Sequence, residues 1–268
     1  MHLRHAMLAA TIGLSVWGGL YAQRRSMPLP DEEDHPTVMP PDAGEKTEYA
    51  FARLRYPTYR GGGGSYWGMR GYWSIDYPKA DRQFVQGVRR LTRLHTRSVE
   101  EVVDLESDRI FDFPWIYAVE TGHWELTDAH ARKLRDYLLR GGFLMTDDFH
   151  GTLEWDIFMA SMSRVFPDRA VIDIENKDEI FHVLYDVDER FQVPGIIMFR
   201  TGTTYEYDGY EPKWRAIYDD QKRIMVAICH NMDLGDAWEW ADWPRYPERY
   251  ASLAYRIGIN YIIYSMTH

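Results

Sequence analysis

The residues best suited to chemistry fall in four short stretches. The first is GGFLMTDDFHG (141–151), where an apolar run ends in Asp147 and Asp148, followed by His150. A carboxylate beside an imidazole can hold a metal, position a water or act as a general base. Successive strand residues point to opposite faces, so Asp147 and Asp148 cannot both aim at one ligand. One is expected to satisfy loop amides or cap a helix while the other faces a cleft. The second stretch, ETGHWELT (120–127), offers His123 as a proton donor or anion contact near a helix start, or as a packing residue in a tight turn at Gly122. The third, HNMDLGDAWEWADW (230–243), sets Asp233, Asp236 and Glu239 among Trp238, Trp240 and Trp243. Acids that accept hydroxyl groups and indoles that stack suit a polyhydroxylated ligand; a loop whose tryptophans cover the sheet end is the alternative. The fourth, RGGGGSYWGMRG (60–71), lacks the Lys-Ser/Thr ending of a nucleotide loop and the spaced glycines of a dinucleotide fold. Its glycines fit a flap. No metal and no cofactor is assigned, because a dependable metal signal needs three or four ligands and the TDDFHG spacing supplies two or three at best.

These stretches need elements to position them. Strands are expected at 49–56, 100–105, 115–120, 142–148, 170–174 and 223–231. Helices are expected at 81–95, with Phe84, Val88 and Leu91 inward, and at 127–142, with Thr127 as N-cap and Ala131, Leu134 and Leu138 inward. A further helix follows His150, with Leu153, Ile157, Ser161, Met162 and Val165 inward, and a last one from about Pro247 carries a stripe from Tyr250 to Ile262. PGIIMFRTGTTYEY (194–207) reads as an inserted hairpin. Strands alternating with helices predict a mainly parallel sheet covered on both faces. Ligands of such sheets sit beyond the carboxyl ends of the strands, which is where the polar stretches fall.

Composition narrows the functions. The net charge of −10 argues against a nucleic-acid partner, which would need a basic face. The single cysteine, Cys229, excludes an internal disulfide and reads as a small buried hydrophobe. Residues 1–25 combine Arg4 with a charge-free stretch from Ala6 to Ala22, the pattern of a signal peptide or an N-terminal membrane anchor. Either places the chain outside the cytoplasm, in the periplasm or on the outer face of the cytoplasmic membrane. Residues 26–48, proline-rich and acidic, read as a linker, and 49–268 as the folded domain.

FARLRY, WSIDYPKADRQFVQGVRRLT, FPWIYAVETGHWELT, LRDYLLRGGFLMTDDFHG, DLGDAWE and RIGINYIIYSM occur in this order. Together they resemble the bacterial family known as domain of unknown function 4159, from Tyr49 to the C-terminus. The resemblance implies the class I glutamine amidotransferase-like superfamily and a flavodoxin-like three-layer sandwich; it carries no established activity and no catalytic residues. A glutaminase would need a cysteine on a sharp strand-to-helix turn with a later His and Glu pair, and Cys229 lies within an apolar run with no such pair after it. The expected function is an exported domain that binds a small polar ligand or an envelope partner through His123, Asp147, Asp148, His150, Asp233, Asp236 and Glu239. The alternative is a hydrolase, metal-assisted in one version, acting on a carbohydrate or related envelope substrate. A purely structural role is a third.

Overall fold

A computed structural model describes residues 39–58 and 71–268. The signal or anchor segment, the linker as far as Val38 and the glycine-rich loop from 60 to 70 lie outside the described residues. Seven strands form one sheet: β1 (Ala52–Arg55), β2 (Glu101–Asp104), β3 (Trp115–Val119), β4 (Phe143–Asp147), β5 (Ile172–Asp173), β6 (Lys213–Tyr218) and β7 (Ile224–His230). Their order is β2-β1-β3-β4-β7-β6-β5. The first five in that order run parallel, while β6 is antiparallel to β7 and β5 is antiparallel to β6. The fold is therefore α/β with a mostly parallel sheet.

Every residue of β3, β4 and β7 is buried, as expected of strands covered on both faces. Alternation along β3 sorts its side chains into two cores. Trp115, Tyr117 and Val119 meet α1 (Lys79–Leu91), α5 (Leu234–Glu239) and α6 (Glu248–Thr267); Ile116 and Ala118 meet α2 (Asp128–Leu139) and α3 (Gly151–Val165). Cys229 is buried in the first core. At α2, the Thr127 side chain accepts the His130 N–H while His130 reaches back to the Thr127 N–H, a reciprocal cap. Asp42 accepts the Ser98 N–H at 3.0 Å and Glu48 accepts the His95 N–H at 2.9 Å, so the segment before Tyr49 is bonded to the 95–98 turn. No helix among the described residues is long and apolar enough to cross a membrane.

Three expectations are corrected. Leu91 ends α1 and is exposed, leaving Phe84, Val85 and Val88 as the inward face. In α3, Leu153 is 73% exposed and Ile157 half-buried, while Glu154 and Phe158 point inward. Phe158 stacks on Trp124 and Phe149, and Glu154 turns toward histidines, so polar and aromatic partners outweigh two aliphatics. The 194–207 segment is no hairpin and contains only the short α4 (Met198–Thr201). Pro194 has no N–H to give a ladder. The Ile196 N–H goes to the Asp236 carboxylate at 2.5 Å instead of to a strand. Gly195 makes that approach possible: a Cβ there would lie 2.5 Å from Asp233 Oδ2 and 2.9 Å from Asp236 Oδ2.

Candidate functional site

Because β3, β4 and β7 are parallel, the chain leaves all three at one edge of the sheet. It exits β3 at Glu120, β4 at Asp148 and β7 at Asn231. Glu120, Asp148 and Asn231 all adopt left-handed backbone, with φ of 51°, 52° and 65°. These turns are sewn together. The Glu120 N–H donates to Asp147 O at 2.9 Å, Asp148 N–H to Met232 O at 3.1 Å, and Asn231 N–H to Phe149 O at 3.0 Å. The Asn231 side chain accepts the Gly151 N–H at 2.8 Å.

Of the two adjacent aspartates, one satisfies loop amides, as expected. Asp147 is fully buried, and its Oδ2 accepts from the Leu234 and Gly235 N–H groups at 2.8 and 3.0 Å and from the Tyr117 hydroxyl at 3.0 Å. It fastens the start of α5 to the sheet. Burial outweighs those three donors and pushes Asp147 up to about 7. Asp148 instead meets His150, Oδ1 to Nε2, at 3.1 Å. Burial, then the charges of Glu120 and Asp76, push Asp148 well above the carboxylate range.

From His150 a chain of contacts runs across the edge. The His150 N–H donates to Glu154 Oε2 at 2.5 Å, and Glu154 Oε1 lies 3.3 Å from His123 Nε2. Glu120 Oε2 is also 3.3 Å from His123 Nε2, and the His123 ring stacks on Tyr72 with centroids 3.9 Å apart. Burial pulls His123 down, but Glu120 and Glu154 outweigh it and raise the imidazole to about 9. His150 falls to about 4, because burial outweighs the nearby Glu154 charge and His230 adds to the fall. Its Nδ1 has no hydrogen-bond partner among the described residues.

A second acidic group adjoins the first. Asp233 caps α5 by accepting the Asp236 N–H at 2.7 Å, and Asp236 accepts the Trp240 indole N–H at 3.0 Å. Asp76 brings a carboxylate oxygen within 4.8 Å of oxygens of both. Burial and the charges of Asp148 and Asp236 raise Asp233; burial and the charges of Asp236 and Glu239 raise Asp76. Glu239 ends α5 and acts on this group through its charge on Asp76. The tryptophans do not form a stacking platform. Trp238 is buried against Phe84 at 4.2 Å, Trp240 lies under the Lys79 ammonium, and Trp243 packs edge-on against Phe199.

Sequence reasoning selected His123, Asp147, Asp148, His150, Asp233, Asp236 and Glu239; contacts through Glu154 join His123 to His150 and Asp148, Asp233 and Asp236 lie with Asp76, Asp147 faces the interior, and Glu239 acts on Asp76 through its charge. It missed Asp76, Glu120, Glu154 and Glu206. Glu120 begins the ETGHWELT stretch and carried a signal in its place after a strand. Glu154 was hidden by the misjudged face of α3. Glu206, in the segment read as a hairpin, is raised to about 7 by burial and by Glu120 and Glu154. Asp76 had no motif to mark it.

His230, at the end of β7, has a structural role at the same edge. Its Nε2–H donates to Gly151 O at 3.1 Å, and its ring lies 4.9 Å from those of Phe149 and Trp155. Burial takes it down to about 4, helped by the nearby Arg215 and Lys213 charges and opposed by the Gly151 carbonyl and Glu154. A folded value below the unfolded one means that stability from the neutral ring is present above about 6.5 and is lost as pH falls toward 4, at about 1.4 kcal/mol per unit of depression. An NMR titration is expected to show the His230 ring titrating near 4; a midpoint near 6.5 would contradict its burial.

Fold and edge together define a mostly parallel α/β protein whose strand termini carry a joined set of carboxylates and imidazoles. The family model of the domain of unknown function DUF4159 matches residues 50–266, and the chain belongs to that family. No curated protein matches it.

Proposed function

We propose that this chain is an exported domain that binds a small polar ligand, free or displayed by a cell-envelope partner, at the carboxyl edge of its sheet. The observation that carries this reading is the unbroken run of contacts Asp148–His150–Glu154–His123–Glu120, drawn from separate turns. Acids this numerous favour a ligand rich in hydroxyl or cationic groups. The strand order β2-β1-β3-β4-β7 supports a flavodoxin-like three-layer sandwich of the amidotransferase-like superfamily, whose crevice opens where the order reverses between β1 and β3. The charge-free stretch from Ala6 to Ala22 supports export to the periplasm or the outer face of the membrane.

A thermal-shift screen of sugars, polyols and amines against the wild type and Asp148→Ala tests the reading. At a hundredfold excess over Kd, a ligand stabilises by about 2.7 kcal/mol, enough to move Tm by several degrees. The shift is expected in the wild type and lost in the variant; equal shifts in both would remove this site.

The second reading, a hydrolase acting on a carbohydrate or other envelope substrate, is favoured by the Asp148–His150 pair. A carboxylate holding one imidazole nitrogen while the other has no partner among the described residues is the arrangement of an oriented general base. Turnover of any compound that binds, abolished in His150→Gln, would establish it; binding without turnover returns the role to recognition.

A further inference from the structure

We infer that Glu120, His123 and Glu154 form a three-ligand site for a divalent transition-metal ion of zinc-like preference. This rests on the strand-edge reading above but concerns a different occupant. One ligand atom of each residue lies within 4.8 Å of the others. His123 Nε2 stands 3.3 Å from Glu120 Oε2 and 3.3 Å from Glu154 Oε1.

Those two equal distances decide between an ion pair and a metal site. A charge-assisted N–H···O bond closes to about 2.7–2.9 Å. Nε2 carries at most one hydrogen, so two carboxylates on different elements would have to share it. Two long contacts to one nitrogen therefore make a poor pair of hydrogen bonds. Ligands around zinc, at about 2.0–2.2 Å and tetrahedral angles, lie about 3.3–3.5 Å from one another. The His123 contacts match that spacing.

The surroundings are also those of a held ligand set. Tyr72 stacks on the His123 ring and fixes its plane. The second oxygen of Glu154 accepts the His150 N–H, the kind of outer contact that orients a metal-binding carboxylate. Gly122 lets Glu154 approach, since a Cβ at that position would collide with the Glu154 Cβ. Glu120 reaches the site from left-handed backbone at the end of β3. Beside them His150, 4% exposed, keeps Nδ1 without a partner among the described residues. Three protein ligands leave a fourth position for water or a substrate oxygen, the pattern of a catalytic or ligand-presenting zinc.

The test uses the full chain, stripped with EDTA and titrated with cobalt(II) and zinc(II). Cobalt(II) is expected to give the visible absorption bands of a four-coordinate ion at one equivalent, and zinc(II) to displace it and raise Tm. His123→Gln and Glu154→Gln, each checked for folding by circular dichroism, are expected to weaken cobalt(II) binding by at least the roughly 10- to 100-fold that loss of an outer-shell partner causes. Absence of bands in the wild type at excess cobalt(II) overturns the inference whatever the variants do. So does loss of the bands in Asp236→Asn with retention in His123→Gln, which would put the ion on the neighbouring carboxylates. The organic-ligand screen repeated in EDTA separates the two readings. A Tm shift that persists there without any metal binding overturns the metal site and leaves ligand binding standing. Metal binding without any organic ligand does the reverse.

Discussion

Arg53→Met is expected to destabilise the protein by about 3–5 kcal/mol, because it strips one member from a buried ion pair and leaves the other charge uncompensated. Arg53 and Asp81 are both fully buried, and the guanidinium presents Nε and Nη2 to the Asp81 carboxylate. Its Nη1 donates to the carbonyls of Trp73 at 3.1 Å and Ile75 at 2.9 Å, and its plane lies 5.1 Å from the centroid of Tyr117. A methionine fills much of the volume but satisfies none of these acceptors. Arg53→Lys should recover only part of the loss, since an ammonium cannot fork between a carboxylate and two carbonyls. Urea unfolding checks this through a lower midpoint at unchanged slope. A loss below about 1 kcal/mol would mean that the pair is far better solvated than its burial indicates. The effect reaches the site. The two carbonyls lie one and three residues before Asp76, and Arg53 is the positive charge that opposes the upward shift of that acid. Losing it should loosen the 73–76 turn and weaken ligand binding at the strand edge along with stability.

The parts of this molecule that were legible in the sequence are those fixed by local periodicity. Helix α2 was readable because Thr127 and the inward stripe of Ala131, Leu134 and Leu138 agree with one another, and nothing tertiary opposes them. The strand-edge position of Asp148 and His150 followed from β4 being an apolar run too short for a helix. The division of labour between Asp147 and Asp148 followed from the two-residue strand repeat. What was not legible depends on partners distant in sequence. The inward turn of Glu154 in α3 is set by His123, on another element, and a helical wheel of α3 alone favours Leu153 and Ile157. The 194–207 segment has strand-like composition, but its amide at Ile196 is taken by Asp236, 40 residues later. The acidity of the site was underestimated for the same reason. Asp76, Glu120, Glu154 and Glu206 sit in four different stretches, and only the parallel strand order gathers them.

Asp147→Ala and Asp148→Ala are expected to separate cleanly, although the residues are neighbours. Removing the Asp147 carboxylate strands the N–H groups of Leu234 and Gly235 and the Tyr117 hydroxyl, all in a fully buried position. Each unmatched buried donor costs about 1–3 kcal/mol, so a loss on the order of 3–5 kcal/mol is expected after partial relaxation. Tyr117→Phe, which deletes one donor and leaves the acceptor with two, should cost only about 1 kcal/mol. Asp148 is different. Among the described residues its side chain accepts from no backbone amide; it contacts His150, and burial and the neighbouring acids raise its proton affinity. Taking away a buried acid among other acids offsets much of the about 1–3 kcal/mol of leaving the His150 ring nitrogen unmatched, so the stability read from urea unfolding should fall by no more than about 1 kcal/mol. It should nevertheless abolish ligand-induced stabilisation. The converse outcome, Asp148→Ala unfolding and Asp147→Ala merely losing ligand, would mean that the strand delivers the opposite carboxylate to the cleft. The left-handed turn at Asp148 makes the expected assignment the consistent one: it follows the last strand residue, so the regular repeat ends with Asp147 in the interior and the chain turns the next side chain toward the edge.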